Sequence, residues 1–179
     1  MALTLISTHT ASADASIDIT AGITSTYDSY EFHMVNMHPA TNAAKFSFQV
    51  NVADASGFNE EMTTTTWMAY HGEDNSYGAI AYSTGDDQPA GTAYQTLCPT
   101  TSDDADASMS GVLTLYAPSS TTYVKHFTAR TNDYSSNGPL TYDFHAAGYI
   151  NVTAAIDEIS FKFHTGNIDD GTIKMFGVS

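Results

Sequence analysis

A two-residue alternation of apolar and polar side chains limits the folds that are open to this chain. In residues 45–52 the even-numbered positions are Phe46, Phe48, Val50 and Val52, and the odd-numbered positions are polar. Because successive side chains of a strand point to opposite faces of a sheet, this pattern predicts a strand with one buried face. Shorter stretches of the same kind occur at residues 17–19, 30–34, 112–116, 123–130, 142–146, 159–164 and 173–178.

Turn-forming residues separate these stretches. They occur at His38-Pro39, Ser56-Gly57, Gly85-Asp86-Asp87, Ala117-Pro118, Asn137-Gly138-Pro139 and Asp170-Gly171. No stretch carries an apolar stripe of helical period, so the crossover helices of a parallel sheet are not available. The pattern predicts an all-β, antiparallel sandwich or barrel with about 8–10 strands and little helix.

The length and the cysteine content limit how the fold is stabilised. A chain of 179 residues fits one domain, residues 1–179, with a core large enough to need no cross-links. Cys98 is the single cysteine, so an intramolecular disulfide is excluded. Residues 1–10 lack the basic segment and the long apolar run of a signal peptide, so we expect synthesis in a cytoplasm and no insertion into a membrane.

The charge argues against nucleic acid as a partner. The chain has 20 Asp and Glu residues against 5 Lys and Arg, which gives a formal net charge of -15. Phosphate contacts need clustered cations, and the sequence has none. Such a surface suits a protein outside a DNA-filled particle, although solubility or a salty medium is the more ordinary explanation.

One region, residues 58–101, departs from the alternation. We interpret it as an irregular, aromatic, Thr- and Gly-rich loop region. Functional contacts concentrate on loops that a rigid scaffold holds, so we expect a ligand or partner surface here. The alternative is that the aromatic side chains only fill the open end of the sandwich. The candidate contact residues are Trp67, Tyr70, Tyr77, Tyr82 and Tyr94.

The sequence gives no convincing metal or catalytic site. His33, His126, His145 and His164 lie in predicted strands, but none has the close spacing of a metal-binding pair. The Asp-rich stretches at residues 85–87, 103–106 and 167–171 supply oxygen ligands without completing an EF-hand loop, so a surface calcium ion remains only as an alternative. We therefore expect no cofactor.

Catalysis by an activated nucleophile is also not expected. Ser76 and Gly78 resemble part of a nucleophile elbow, but Asp74 stands where the first glycine belongs and no helix is predicted to follow. The five glutamates form no recognisable motif, and a pair of carboxylates suited to glycoside hydrolysis stays an open alternative in a chain this rich in Asp. We expect a protein that is not an enzyme.

The end of the chain resembles that of structural proteins of tailed bacteriophages. In those proteins a strand ending in (S/T)GN leads through I-x-x-G into a last strand T-I-(K/R)-L-(Y/F)-G, and residues 161–178 read FKFHTGNIDDGTIKMFGV. Residues 6–12 and 16–20 resemble the opening of the same group, so the resemblance covers about half of the chain. We expect residues 159–164 and 172–178 to form an antiparallel hairpin across Asp170-Gly171, and the opening and the ending to lie side by side at the centre of the sandwich.

The resemblance implies a jelly-roll protein on the exterior of a virion, as a capsid decoration protein or a compact tail or fibre tip. Its partners would be copies of itself, in a homotrimer or other symmetric oligomer, and other capsid or tail proteins. No heptad, collagen or β-helix repeat is present, which disfavours a long fibre. The alternative function is a carbohydrate-binding jelly-roll module that uses the aromatic residues to contact a host-surface glycan.

Overall fold

The computed structural model describes residues 2–179 and contains β-strands and no helix. The strands are β1 (Leu3–Asp14), β2 (Ile17–Ile19), β3 (Ser29–Pro39), β4 (Ala44–Val52), β5 (Met62–Gly72), β6 (Gly78–Tyr82), β7 (Gln95–Thr101), β8 (Met109–Tyr116), β9 (Lys125–Tyr134), β10 (Leu140–Ile150), β11 (Ile156–Phe163) and β12 (Ile168–Val178). Within this part of the chain no helix is long and apolar enough to span a membrane.

The strands form two antiparallel sheets that pack as a sandwich. The large sheet has the order β1-β12-β3-β8-β9-β10-β5-β6, and the small sheet has the order β2-β11-β4-β7. The four strands β1-β12-β3-β8 facing β2-β11-β4-β7 are the eight strands of a jelly roll, with two interleaved Greek keys. The predicted fold class, an all-β antiparallel sandwich of jelly-roll type, is confirmed.

Two hairpins are added to this framework. β5 and β6 are inserted between β4 and β7, and β9 and β10 between β8 and β11. Both hairpins join the same side of the large sheet, which therefore extends past the small sheet as β9-β10-β5-β6. Residues 2–179 thus contain twelve strands instead of the expected 8–10.

The interpretation of residues 58–101 as irregular loop is wrong, because β5, β6 and β7 lie there. Both faces of β5 carry threonines, so the sequence shows no apolar face to alternate with a polar one. Thr64 and Thr66 point inward and are buried, although their type is polar. Their hydroxyls donate to Gln95 Oε1 (2.7 Å) and to the Ser83 carbonyl (2.8 Å), which offsets the cost of burying them.

Phenylalanine rings fill the space between the sheets. Phe161 of β11 lies at the centre, with ring centroids 5.6 Å from Phe32, 6.1 Å from Phe46 and 6.4 Å from Phe48. All four side chains are fully buried. The predicted alternation of β4 is confirmed on this face, where Phe46, Phe48 and Val50 point into the core.

The other face of β4 is buried as well, which the alternation did not predict. Gln49 is fully buried, and its side-chain amide donates to the carbonyls of Glu60, Thr92 and Ala93 at 3.0–3.2 Å. A loop held by these hydrogen bonds covers the outside of the small sheet. A polar strand face can therefore be buried when loop carbonyls satisfy its side chains.

The predicted terminal hairpin is wrong. The adjacent strands β11 and β12 lie in different sheets, and the chain crosses between the sheets at residues 164–167. Asp170 and Gly171 lie inside β12 at a bulge, where Gly171 has φ +128° and a Cβ would come within 2.8 Å of the Asn36 carbonyl oxygen. Because β11 and β12 belong to different sheets of the sandwich, their apolar side chains point into the core from opposite layers, and the two strands do not pair edge to edge.

Candidate binding surface

The five aromatic residues singled out by sequence lie in three separate places. Trp67 and Tyr82 are direct cross-strand partners of β5 and β6 on the outer face of the large sheet, the face turned away from the small sheet. Tyr70 lies on the opposite face, where its ring contacts Tyr77 at a centroid distance of 6.3 Å. Tyr94 lies against the small sheet, where its hydroxyl donates to Ser160 (3.0 Å). They do not form one contact surface.

Trp67 lies in a row of side chains that crosses the outer face. Its direct partner on β10 is His145, and the direct partner of His145 on β9 is Arg130. The rings of Trp67 and His145 stack, with centroids 3.9 Å apart and planes 9° from parallel. One face of the indole is therefore covered, while Trp67 as a whole remains 39% exposed.

Arg130 is held next to this stack by Asp143. Its Nε and one terminal nitrogen donate to the two carboxylate oxygens, each at 2.8 Å. This hydrogen bonding lowers the pKa of Asp143 and raises the pKa of Arg130. A bidentate pair fixes the orientation of both groups, so the wall beside Trp67 is preorganised.

A depression, which we call the outer trough, adjoins this row. Its floor is a second cross-strand row of small side chains, Thr65, Ala147 and Thr128. Its far wall is a third row that contains Tyr149 and His126, whose rings are 6.4 Å apart. Residues two apart on a strand are separated by about 7 Å, so the two walls lie about 13 Å apart.

The outer trough consists of two adjoining concavities of about 450 and 140 Å³ that share the floor residues Thr65, Thr128 and Ala147. Within residues 2–179, no Asp, Glu, Lys or Arg side chain lines either concavity. In a chain of net charge -15, the lining of this patch carries no formal charge; aromatic rings and threonines edge it, and the Arg130–Asp143 ion pair lies at the end of one wall. It suits a neutral amphipathic ligand better than an ion.

Sequence reasoning missed His145, Tyr149 and Ala147 as parts of this surface. The alternation of residues 140–150 does place all three on one face of β10. It does not say that Trp67 of β5 is the neighbour of His145, because that depends on the register between strands distant in sequence.

The remaining sequence candidates for metal binding do not converge. The Nε2 atom of His33 lies 2.8 Å from Glu31 Oε2. The rings of His126 and His145 contact aromatic rings. His164 accepts a hydrogen bond from the Lys45 amide (2.8 Å). Across the described residues, no group of three or more His, Cys, Asp or Glu side chains is arranged to hold a metal ion.

The most strongly perturbed carboxyl is Asp133 of β9. It is 3% exposed, and burial raises its pKa to about 7. Its oxygens accept hydrogen bonds from the Cys98 thiol and the Tyr142 amide, both at 3.2 Å. Asp133 borders a concavity of about 500 Å³ that Glu73 and Asp106 also line. Since both carboxyl oxygens are occupied from within the fold, the geometry favours a structural role.

Comparison of the chain with protein-family models, with curated proteins and with solved structures finds no match in any of the three.

Proposed function

We propose that this chain is a non-enzymatic structural protein on the exterior of a tailed-bacteriophage virion, as a capsid decoration protein or a compact tail or fibre tip. It acts by assembling into a homotrimer or other symmetric oligomer and by binding surfaces of other virion proteins. Its location would be the outside of the particle, after synthesis in the host cytoplasm.

The observation that carries this proposal is the pairing of the two segments that resemble phage structural proteins. The opening segment in β1 pairs with β12, from Ser7 opposite Met175 to Ser12 opposite Asp170. The second opening segment, β2, pairs with β11. Two distant parts of the sequence that share one resemblance thus form one contiguous part of the sandwich.

The glycines of the resembling motif have structural reasons to be glycine. Gly166 has φ +71° at the crossing between the sheets, and a Cβ there would lie 2.3 Å from the Thr41 hydroxyl. At Gly177 a Cβ would come within 2.3–2.5 Å of the Tyr27 ring. The motif therefore describes how this end of the fold is built, and the virion role is what we infer from it.

The disposition of charge is consistent with a position outside packaged DNA. Lys125 is fully buried, and its ammonium donates to two backbone carbonyls. Lys45 and Arg130 are paired with carboxylates. Lys162 lies 4.0 Å from the centroid of an aromatic ring. Four of the five cationic side chains are engaged within the fold, so the surface offers phosphate little to bind.

Mass spectrometry of purified particles from the phage or prophage that carries this sequence tests the proposal. We expect the chain in stoichiometric amounts, and protease treatment of intact particles should remove it because it lies outside. Its absence from particles that contain the other structural proteins would overturn the proposal.

A second candidate function, binding of a neutral saccharide, is favoured by the outer trough. Sugars combine apolar C–H faces with hydroxyls, and the trough offers aromatic rings beside the hydroxyls of Thr65, Thr128 and Tyr149. Trp67, which lines the smaller concavity, would contact the sugar ring. This function is compatible with a virion tip that contacts a host-surface glycan.

A glycan array and calorimetry with Trp67→Ala test this second function. We expect binding of uncharged glycans that the variant loses, whereas Tyr77→Ala, which removes an aromatic side chain 46% exposed outside the trough, should bind as the wild type does. Equal binding by both variants, or none by the wild type, would exclude the trough as a saccharide site.

A further inference from the structure

The two sheets have four free edges, which belong to β1 and β6 in the large sheet and to β2 and β7 in the small sheet. A free edge presents unpaired backbone groups to any other strand, and proteins protect such edges by shortness, charge, proline or a covering segment. β2 is three residues long with Asp18 at its centre, and β6 is five residues long. Both edges are too short to pair extensively.

The edge of β7 is covered. Pro99 interrupts the row of backbone donors. The Thr131 hydroxyl donates to the Leu97 carbonyl, the Ser136 amide donates to the Thr100 carbonyl (3.0 Å), and Thr101 forms a bridge with Ser135. The end of β9 and the turn after it thus occupy this edge.

The edge of β1 is neither short, as the edges of β2 and β6 are, nor covered, as the edge of β7 is. β1 is twelve residues long and contains no Asp, Glu, Lys, Arg or Pro before Asp14. In residues 2–179 its one sheet neighbour is β12. β1 has a bulge between Leu5 and Ser7 and a left-handed φ of 59° at Ala13, so residues 7–12 between them present a regular, uncharged edge. Leu3 and Leu5 beside it are 51% and 54% exposed.

We propose that the free edge of β1 pairs antiparallel with β1 of a second copy of this chain, so that two large sheets of eight strands each join into one. This inference rests on the proposed function in taking the partner to be another subunit. The contact has two-fold symmetry, so it narrows the proposed symmetric oligomer to one that contains a two-fold axis and not a simple trimer.

Geometry determines how the two edges meet. Two identical strands that pair antiparallel are related by a two-fold axis perpendicular to the sheet, so outward side chains meet outward side chains. Thr8, Thr10 and Ser12 are exposed on the outer face. An axis through His9 pairs Thr8 with Thr10 of the copy, and an axis through Thr10 pairs Thr8 with Ser12. Such Thr–Thr and Thr–Ser neighbours stabilise antiparallel pairs.

The distribution of charge makes this edge a better place for a second copy to bind than most of the remaining surface. Two chains of net charge -15 repel each other, and residues 3–13 carry no formal charge. The contact is small, because a six-residue ladder with flanking leucines falls well short of the ~1,600 Å² of a standard stable interface. We therefore expect weak association in dilute solution, which neighbouring attachment on a particle would strengthen.

Hydrogen exchange of the intact chain, measured from micromolar to millimolar concentration together with the mass by sedimentation, tests the proposal. Those amides of residues 7–12 that point away from β12 should become protected as the mass doubles. Thr10→Lys places like charges near the two-fold axis and should hold the chain at monomer mass without this protection. Thr141→Lys adds the same charge to an exposed threonine of β10 in the same sheet, outside the outer trough, and should associate as the wild type does.

The outcomes separate this inference from the proposed function. A wild type that remains monomeric at millimolar concentration, or one that associates without protection of residues 7–12, overturns the edge pairing. A trimer protected elsewhere would retain the proposed oligomer and exclude β1 as its contact. Absence from virions would refute the virion role alone. Circular dichroism of both lysine variants establishes that a loss of association is not a loss of fold.

Discussion

Replacement of Asp133 by asparagine should make the protein more stable at neutral and alkaline pH. Burial raises the pKa of this carboxyl from 3.8 to about 7 in the folded state. A group whose folded pKa is raised binds its proton more tightly when folded. The wild type therefore loses unfolding free energy as the pH rises from about 4 to about 7, and loses no more above that.

The magnitude follows from the two pKa values. The rise in pKa from 3.8 to about 7 lowers the unfolding free energy of the wild type by about 4 kcal/mol above pH 7, at ~1.4 kcal/mol per pKa unit. The introduced asparagine would have one acceptor oxygen for the two donors, Cys98 and the Tyr142 amide, and one weakened hydrogen bond costs about 1 kcal/mol. The variant should thus be about 3 kcal/mol more stable than the wild type at pH 8 and nearly equal at about pH 4.5.

Urea unfolding of both proteins at several pH values measures this difference. The expected gain at pH 8 also corresponds to a rise in Tm of about 6–12 °C for a chain of this size. Asp104→Asn, which removes an exposed carboxylate of the same formal charge, controls for the change in net charge. A difference between Asp133→Asn and wild type that stays constant from pH 4.5 to 8 would refute the reasoning.

Three further outcomes are expected. Gly177→Ala should lower the unfolding free energy by about 1–3 kcal/mol because its Cβ would overlap the Tyr27 ring, whereas Gly85→Ala, with no atom within 4 Å, should melt within a few degrees of the wild type. Phe161→Ala should cost about 3–5 kcal/mol in chemical denaturation because it empties the centre of the core, and a cost below ~1 kcal/mol would contradict that packing. Burial and the neighbouring carboxyl raise the pKa of the Cys98 thiol well above its ordinary value, so a thiol reagent should label it only in denaturant; rapid labelling of the folded chain at pH 8 would show that the site opens.

The fold class could be predicted from the residues alone. Alternation along a strand is a local property, and in β4 it identified Phe46, Phe48 and Val50 as core residues. The absence of helical periodicity likewise excluded a parallel sheet with crossover helices. The expectation that the opening and the ending of the chain lie side by side is confirmed, since β1 pairs with β12 and β2 with β11. Their expected place at the sandwich centre is wrong, because β1 and β2 are edge strands.

Features that depend on which strands are neighbours became visible only in the folded chain. Alternation placed His145 on one face of a strand and did not identify Trp67 as a strand residue. Only the pairing of β5 with β10 brings their rings into a stack. The same limit made the predicted terminal hairpin wrong, because turn residues within β12 have the same composition whether the chain reverses there or bulges. It also concealed the free edge of β1, because a strand is an edge only through the absence of a second neighbour, which is a property of the sheet and not of the strand.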